Sequence, residues 1–263
     1  MRISPATASA APSSPTRPAS RRSCASNRAT SPVRSAFPRA RRATTVAVRL
    51  TTPSPAIGRL AGPRAEVWLV RHPEVHADWR ARAYGSLDVP LSEHGLAQAR
   101  EIGAAYARLA PRAVIASPLV RARTLAECIA SGAGVALELD AALRELDRGR
   151  WQGRERAELE REAPAEVAAY HDDPWNYRAH GGETDADIAA RAQPVLERAV
   201  AGEPDRAAVV LVTHYNVIRV LCALALGLEP ARSFALRVDP CRGILLARGS
   251  HGWSLARSNV LAP

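Results

Sequence analysis

Apolar residues occur along the chain both in short continuous runs and in runs with helical spacing. The continuous runs are typical of buried strands bounded by turn-forming residues. They predict strands at 66–71, 113–117, 135–140 and 207–214, followed by terminal strands at 234–240, 243–249 and 253–260.

The runs with helical spacing lie between these strands. Ser92 is a suitable N-cap for the first, and Pro118 is expected to open the second. Pro164 is expected to break the third. The predicted helices cover 91–110, 119–130, 154–171, 184–201 and 216–228, and 173–183 is predicted to be a loop.

Strands that alternate with helices predict an α/β fold with three layers, a mostly parallel sheet and helices on both faces. In such sheets ligands bind beyond the carboxyl ends of the strands. Polar residues follow three predicted strands at that point: Arg71-His72, Ser117-Pro118 and Thr213-His214. Arg121 lies one turn into the helix after Pro118. We therefore expect two histidines and two arginines to meet at one edge of the sheet.

Charge divides the chain into two parts. Residues 1–65 contain 12 arginines and no acid, and the chain has no lysine, so residues 66–263 carry 24 − 26 = −2. We predict a disordered basic extension at 1–63 and one folded domain at 64–263. The extension is interpreted as an over-long start, a disordered tail or a transit peptide. The near-neutral domain argues against a nucleic-acid partner.

Two further patterns concern the cellular location. The longest apolar run is interrupted by Arg219 and is too short to span a bilayer, so no membrane association is expected. The four cysteines form no C-x-x-C pair, which favours reduced, buried thiols. These patterns predict a cytoplasmic protein, with organellar targeting by the extension as the alternative.

The segment HPEVH at 72–76 resembles a metalloprotease motif only superficially. That motif is H-E-x-x-H on a continuous helix, whereas here the glutamate is one place late. Pro73 directly follows His72, and a residue before proline is disfavoured in helices. We therefore predict no metal site, and we interpret His76 as a loop residue.

Six further segments follow one another along the chain: LVRHPE, YGSLDVPLSEHGLAQA, SPLVRARTLAE, LRELDRGRWQG, GGET and VLVTHYNVIRVL. In this order they resemble the histidine phosphatase superfamily, the phosphoglycerate mutase-like group, and the resemblance covers residues 66–263. YGSLDVPLS and the small domain are also similar to the α-ribazole phosphatase branch. The resemblance implies a phosphoglycerate mutase-like fold and a phosphatase that needs no metal and no other cofactor.

The resemblance also implies a role for each motif residue. His72 would be the nucleophile that takes the phosphoryl group, and Glu145 would protonate the leaving oxygen. Arg71, Arg121 and His214 would form the anion pocket. The residues implied to line the substrate mouth are Tyr84, Gly85, Tyr215 and Asn216.

The sequence departs from the family pattern at two site positions. Pro73 stands where the family usually has glycine, which removes a backbone N–H beside the nucleophile. Tyr215 stands where glycine is common, and it is expected to narrow the pocket. The family's Trp-Asn pair is also out of register here, because Trp79 comes late with no asparagine beside it.

The residue types suit phosphate-ester chemistry independently of the resemblance. An arginine fork binds a phosphate bidentately, and two arginines disfavour the charged form of a nearby histidine. Glu145 has three alternatives for the acid, because Glu138, Asp140 and Asp147 are close in sequence. His214 alone would be read as a core histidine.

Three functions remain open at this point. The first is hydrolysis of a small phosphorylated metabolite through a phosphohistidine. The others are a cofactor-dependent phosphoglycerate mutase and a non-catalytic module that binds a phosphorylated ligand. The compact interval from Glu145 to His214 favours hydrolysis, since the mutases carry a longer insertion. Homodimer formation is left open.

Overall fold

A computed structural model describes residues 65–201 and 208–262. Within them six strands form one sheet in the order β3-β2-β4-β1-β5-β6. The strands are β1 (Ala65–Arg71), β2 (Ala113–Ala116), β3 (Leu137–Leu139), β4 (Val209–Thr213), β5 (Gly243–Gly249) and β6 (Gly252–Val260). The first four strands pair in parallel, and β5 and β6 pair antiparallel at one side.

Seven α-helices connect or flank these strands in the described part of the chain. They are α1 (Ala77–Arg80), α2 (Glu93–Ala107), α3 (Val120–Ala133), α4 (Arg156–Glu162), α5 (Pro164–Asp172), α6 (Asp185–Val200) and α7 (Tyr215–Leu226). Ser92 caps α2 by accepting a hydrogen bond from the Gly95 N–H, as the sequence predicted. Pro164 separates α4 from α5 at the predicted break.

The helices cover both faces of the sheet, which confirms the predicted three layers. Val210 and Val212 of β4 pack in a core with the buried side chains of α2 and α3. Val209 and Leu211, which point to the opposite face, pack with those of α6 and α7. Such a strand is buried on both sides, and this explains why it reads as a continuous apolar run.

Two predicted elements differ from the structure. Residues 234–240 are not a strand: Pro230–Ala235 form a 3₁₀ helix, and the chain then continues without regular structure to β5. The alternation of Phe234, Leu236 and Val238 resembles a strand, but Glu229 caps the 3₁₀ helix through its carboxylate. In addition, α3 begins at Val120 and not directly at Pro118.

The predicted N-terminal extension at 1–63 lies outside the described residues. In the described ranges, no helix combines the length and the apolar character that crossing a bilayer requires.

Candidate active site

The carboxyl ends of β1 and β4 bring two buried histidines together. The two strands are parallel neighbours in which Arg71 pairs with Thr213, so the next residue of each strand is a histidine. His72 donates its backbone N–H to the Thr213 carbonyl at 3.0 Å. Both imidazoles are buried, and their ring centroids lie 5.2 Å apart.

The His72 ring is oriented by the residue that follows it. His72 Nδ1 lies 2.7 Å from the Pro73 carbonyl oxygen. Because a carbonyl only accepts, this contact requires a proton on Nδ1 and leaves the lone pair of neutral His72 on Nε2. Proline provides this carbonyl as well as glycine does, so its missing N–H does not affect the contact.

The environment of His72 favours the neutral ring. Burial lowers its pKa well below the usual 6.5, and the positive charges of Arg121 and Arg71 lower it further, while the Pro73 carbonyl opposes them. A neutral imidazole with a free Nε2 is nucleophilic at neutral pH.

Two arginines beside the histidines are fixed by backbone carbonyls. Arg121, fully buried on α3, donates from Nη1 to Leu87 O and from Nη2 to Gly85 O, both at 2.7 Å. Arg71 donates from Nη1 to Val238 O at 2.6 Å. The Nε atoms of both are buried and have no hydrogen-bond partner among the described residues. Each guanidinium is thus held in place with donors left for an anion.

His214 is positioned by a serine that the sequence analysis did not include among the site residues. Its Nε2 lies 2.8 Å from Ser117 Oγ, at the end of β2. Its Nδ1 has no partner in the described ranges. Burial, followed by Arg121, His72 and Arg71, lowers the pKa of His214 well below 6.5. The sequence signal for Ser117 was its place at a strand end.

Glu145 is the acid that the fold places at this site. Its side chain is buried, with Oε1 accepting from Leu146 N at 2.9 Å and Oε2 lying 3.5 Å from Asn216 N. The neighbouring acids have other contacts: Glu138 and Asp140 pair with Arg198, and Asp147 accepts from the Gly149 N–H.

The loop that carries Glu145 is held by a close crossing with a second loop. A Cβ on Gly182 would lie 2.2 Å from the Asp147 carbonyl oxygen. Gly149 has φ +50°, and a Cβ there would lie 2.2 Å from the His180 carbonyl oxygen. Glu183 adds a hydrogen bond from the Asp147 N–H to its carboxylate. Only glycine permits so close an approach at 149 and 182.

The four residues implied to line the substrate mouth all line one pocket of about 290 Å³. Arg121 lies 5.1 Å from the Tyr84 ring centroid, and Arg71 lies 5.5 Å from that of Tyr215. Arg71 and Glu145 also line the pocket. The Tyr84 ring centroid lies 6.4 Å from that of His72, so this residue of the pocket wall is a neighbour of the buried His72 ring.

Beneath Asn216 lies a buried ion pair that the sequence did not predict. Arg219 donates to both carboxylate oxygens of Asp185 at 2.7 and 2.6 Å, and both side chains are buried. Arg219 Nη2 also lies 3.4 Å from Asn216 Oδ1. The available signal was a lone arginine in an apolar helix, but its partner lies 34 residues away on α6.

The second histidine of the HPEVH segment lies apart from this arrangement. His76 is exposed and caps the short helix α1 by accepting a hydrogen bond from the Asp78 N–H. Within 65–201 and 208–262, no three His, Cys, Asp or Glu side chains are grouped as metal ligands would be.

Comparison with known proteins gives consistent matches. A family model described as the histidine phosphatase superfamily (branch 1) matches residues 67–261. Glucosyl-3-phosphoglycerate phosphatase of Mycobacterium tuberculosis is 33% identical over 175 residues, which cover 64% of this chain and 78% of that protein. A protein named "Probable phosphoglycerate mutase GpmB" of Erwinia tasmaniensis is 34% identical over 176 residues, or 67% of this chain and 81% of that protein.

Solved structures agree with these matches. A mycobacterial glucosyl-3-phosphoglycerate phosphatase in complex with VO3 superposes with a TM-score of 0.68 at 32% identity, covering 74% of this chain and 99% of that one. The α-ribazole phosphatase of Shigella flexneri gives 0.65 at 22% identity, covering 75% and 97%. At that identity the likeness shows the fold alone.

Proposed function

The chain belongs to the histidine phosphatase superfamily, branch 1, and we propose that it hydrolyses a small phosphorylated metabolite through a phosphohistidine on His72. The observation that carries this proposal is the neutral, oriented His72 ring. Its Nδ1 is engaged by the Pro73 carbonyl, and two arginines lie beside it. This arrangement presents Nε2 to a phosphoryl group that the guanidinium donors hold.

The first half of the reaction transfers the phosphoryl group to the enzyme. His72 Nε2 forms a bond to phosphorus while the bond from phosphorus to the ester oxygen breaks. Arg71 and Arg121 stabilise the charge on the phosphoryl oxygens, and the free nitrogen of His214 is available to the same group. Glu145, protonated, gives its proton to the departing alkoxide, so the product is a neutral alcohol.

The second half releases inorganic phosphate. Glu145, now a carboxylate, accepts a proton from a water molecule as the water oxygen bonds to phosphorus and the bond to His72 Nε2 breaks. Phosphohistidine carries positive charge on the ring while Nε2 is bonded, and the Pro73 carbonyl stabilises that charge through Nδ1–H. This step returns to Glu145 the proton that it gave to the leaving oxygen, and the free enzyme is restored.

A mutase is the second candidate, because one relative is named as a probable phosphoglycerate mutase. A mutase must keep the phosphoenzyme away from water while an intermediate reorients. Between Glu145 and His214 the described chain contains a 3₁₀ helix (Gly149–Trp151), α4, α5, α6, β4 and the loops that join them, and this compact interval favours hydrolysis. Release of phosphate without added bisphosphoglycerate would support the phosphatase.

The substrate is proposed from the relatives and the pocket together. The M. tuberculosis relative is named for glucosyl-3-phosphoglycerate, a phosphorylated metabolite. The pocket of about 290 Å³ suits a small ligand and not a polymer. We also propose a cytoplasmic location, supported by the free cysteines Cys128, Cys222 and Cys241.

The nucleophile is tested with His72→Ala, using p-nitrophenyl phosphate and phosphate release. We expect turnover to fall by about 10³-fold or more, because the covalent step is lost. His76→Ala is the matched control, since it removes an exposed histidine of the same segment and is expected to retain activity within about twofold. A His72→Ala variant that keeps most of its activity would exclude His72 as nucleophile.

A further inference from the structure

Arg148 occupies a fixed place in the wall of the pocket. Its Cγ lies 3.2 Å from the position that a Cβ on Gly85 would take, so its aliphatic stem packs against that glycine. Its guanidinium carbon lies 5.5 Å from the Tyr170 ring centroid. The side chain is therefore held between Gly85 and Tyr170, and all three residues line the pocket.

Arg148 differs from the other pocket arginines in its contacts. Arg71, Arg82 and Arg156 each donate at least one hydrogen bond to a backbone carbonyl. The Arg148 side chain forms neither a hydrogen bond nor an ion pair with any residue in 65–201 or 208–262. Burial is the main cause of the lowered pKa of His171 and of His180, and the charge of half-buried Arg148 lowers both further.

The nearby carboxylates do not neutralise Arg148. Asp147 accepts from the Gly149 N–H, and Glu145 accepts from Leu146. Glu160 lines the pocket but is exposed and forms no ion pair with Arg148. A guanidinium with all its donors free, beside a pocket with an aromatic wall, is a ready partner for an anion.

We propose that Arg148 binds a second anionic group of the substrate, carried by the leaving alcohol as a carboxylate or a second phosphate. The proposal rests on the proposed function, because it assigns the part of the pocket that holds the leaving group. It makes Arg148 a specificity-determining residue, whereas Arg71 and Arg121 bind the phosphoryl group that is transferred.

Gly85 links the two anion sites. Its carbonyl accepts the hydrogen bond from Arg121 Nη2 at 2.7 Å, and its Cα side contacts the Arg148 stem. The stem of Arg148 and the guanidinium of Arg121 thus contact the same residue. Arg71 and Arg148 line one pocket, in which a small molecule with two anionic groups can lie between them. Gly85 has φ +47°, and a Cβ there would also lie 2.7 Å from the Leu146 carbonyl oxygen.

The test compares substrates that differ in one anionic group. Phosphate release gives kcat/KM for 3-phosphoglycerate against glycerol 3-phosphate, and for fructose 1,6-bisphosphate against fructose 6-phosphate. The first pair tests a carboxylate and the second a phosphate. We expect the wild type to discriminate within one of these pairs. In that pair, Arg148→Gln should lower kcat/KM by about 10- to 100-fold for the ester that carries the additional anionic group, and kcat/KM for the other ester should stay within about twofold of the wild-type value.

Two variants separate recognition from folding. Arg148→Lys keeps the charge but not the fork, and we expect it to restore part of the loss. Arg108→Gln removes an exposed arginine at the end of α2 and should leave both pairs unchanged. Any of three results would overturn the proposal. Arg148→Gln could lower kcat/KM equally for both esters of a pair, it could leave kcat/KM unchanged, or the wild type could show no preference within either pair.

Failure of the proposed function gives a different result. In that case the wild-type protein releases no phosphate from any of the four esters. Binding of 3-phosphoglycerate and fructose 1,6-bisphosphate is then measured by calorimetry with the wild type and Arg148→Gln. If the variant binds these ligands more weakly than the wild type, Arg148 still forms an anion site, although the protein does not catalyse hydrolysis. Equal binding by the two proteins, or no binding, would overturn the proposed anion site.

Discussion

Glu145→Gln tests the proposed acid, and the structure makes this an almost isosteric change. In this variant the amide oxygen keeps the 2.9 Å contact with Leu146 N, and the NH₂ group replaces Oε2. Only the 3.5 Å contact with Asn216 N is lost, and such a long contact contributes less than the roughly 1 kcal/mol of a typical hydrogen bond. The variant is therefore expected to fold like the wild type.

The expected loss of rate depends on the leaving group. An alkoxide must be protonated as it departs, whereas nitrophenolate leaves without a proton. For an alkyl phosphate kcat is expected to fall by about 10²- to 10⁴-fold, or roughly 3–5 kcal/mol at 1.36 kcal/mol per tenfold. For p-nitrophenyl phosphate we expect a much smaller decrease in the rate of the first step, the transfer of the phosphoryl group to His72. KM is not expected to rise, since the neutral amide adds no charge that would repel the phosphate.

The assay is kcat and KM for glycerol 3-phosphate and p-nitrophenyl phosphate, with rapid mixing to separate the first step from hydrolysis of the phosphoenzyme. Glu160→Gln is the matched control, because it makes the same change at an exposed position of the same pocket. Arg121→Lys should instead slow both substrates by similar factors. Equal first-step losses for both esters in Glu145→Gln would refute the assignment, and Asp147 would be tested next.

Three further outcomes are expected. Asp185→Asn leaves the buried charge of Arg219 unpaired, so the free energy of unfolding should fall by about 3–5 kcal/mol and Tm by roughly 6–20 °C. The control is Glu197→Gln, which breaks an exposed ion pair and should lower the free energy of unfolding by less than about 1 kcal/mol. Stability should decrease as pH falls from about 7 to 5, because the lowered pKa values of His72, His180 and His214 mean that the unfolded chain binds more protons; a constant Tm over this range would contradict this. Phosphate release should be unchanged by EDTA, since arginines supply the positive charge, and activity that is lost on chelation and restored by a metal would contradict this.

The sequence predicted the elements whose burial is decided locally. Strands β1, β2 and β4 are buried on both faces, so each is a continuous apolar run. Such a run can be recognised in the sequence without knowing which strands lie beside it. The strand ends then indicated where His72, His214 and Arg121 would meet. The 3₁₀ helix at Pro230–Ala235 was missed because Phe234, Leu236 and Val238 alternate as in a strand, although they pack in the core without pairing in the sheet.

The remaining site contacts depend on tertiary structure. Asp185 becomes the partner of Arg219 only when α6 packs against α7, and no local pattern identifies it. In the sequence Arg148 cannot be distinguished from a surface arginine. Its place in the pocket wall is recognised only from the contacts of its aliphatic stem with Gly85 and of its guanidinium with the Tyr170 ring. The role of Pro73 could not be predicted either, because the contact with His72 Nδ1 is made by its backbone carbonyl, which every residue type has.

The crossing at Gly149 and Gly182 has a consequence for how this enzyme can diversify. The chain leaves the crossing at Arg150 and returns at His180, where the Arg150 N–H bonds to the His180 carbonyl at 2.9 Å. The segment in between, with α4 and α5, supplies Leu159, Tyr170 and other residues of the pocket wall. The residues proposed for phosphoryl transfer lie outside it. Substitutions at the pocket-facing positions of this segment would therefore change the wall of the pocket without replacing any residue proposed for phosphoryl transfer.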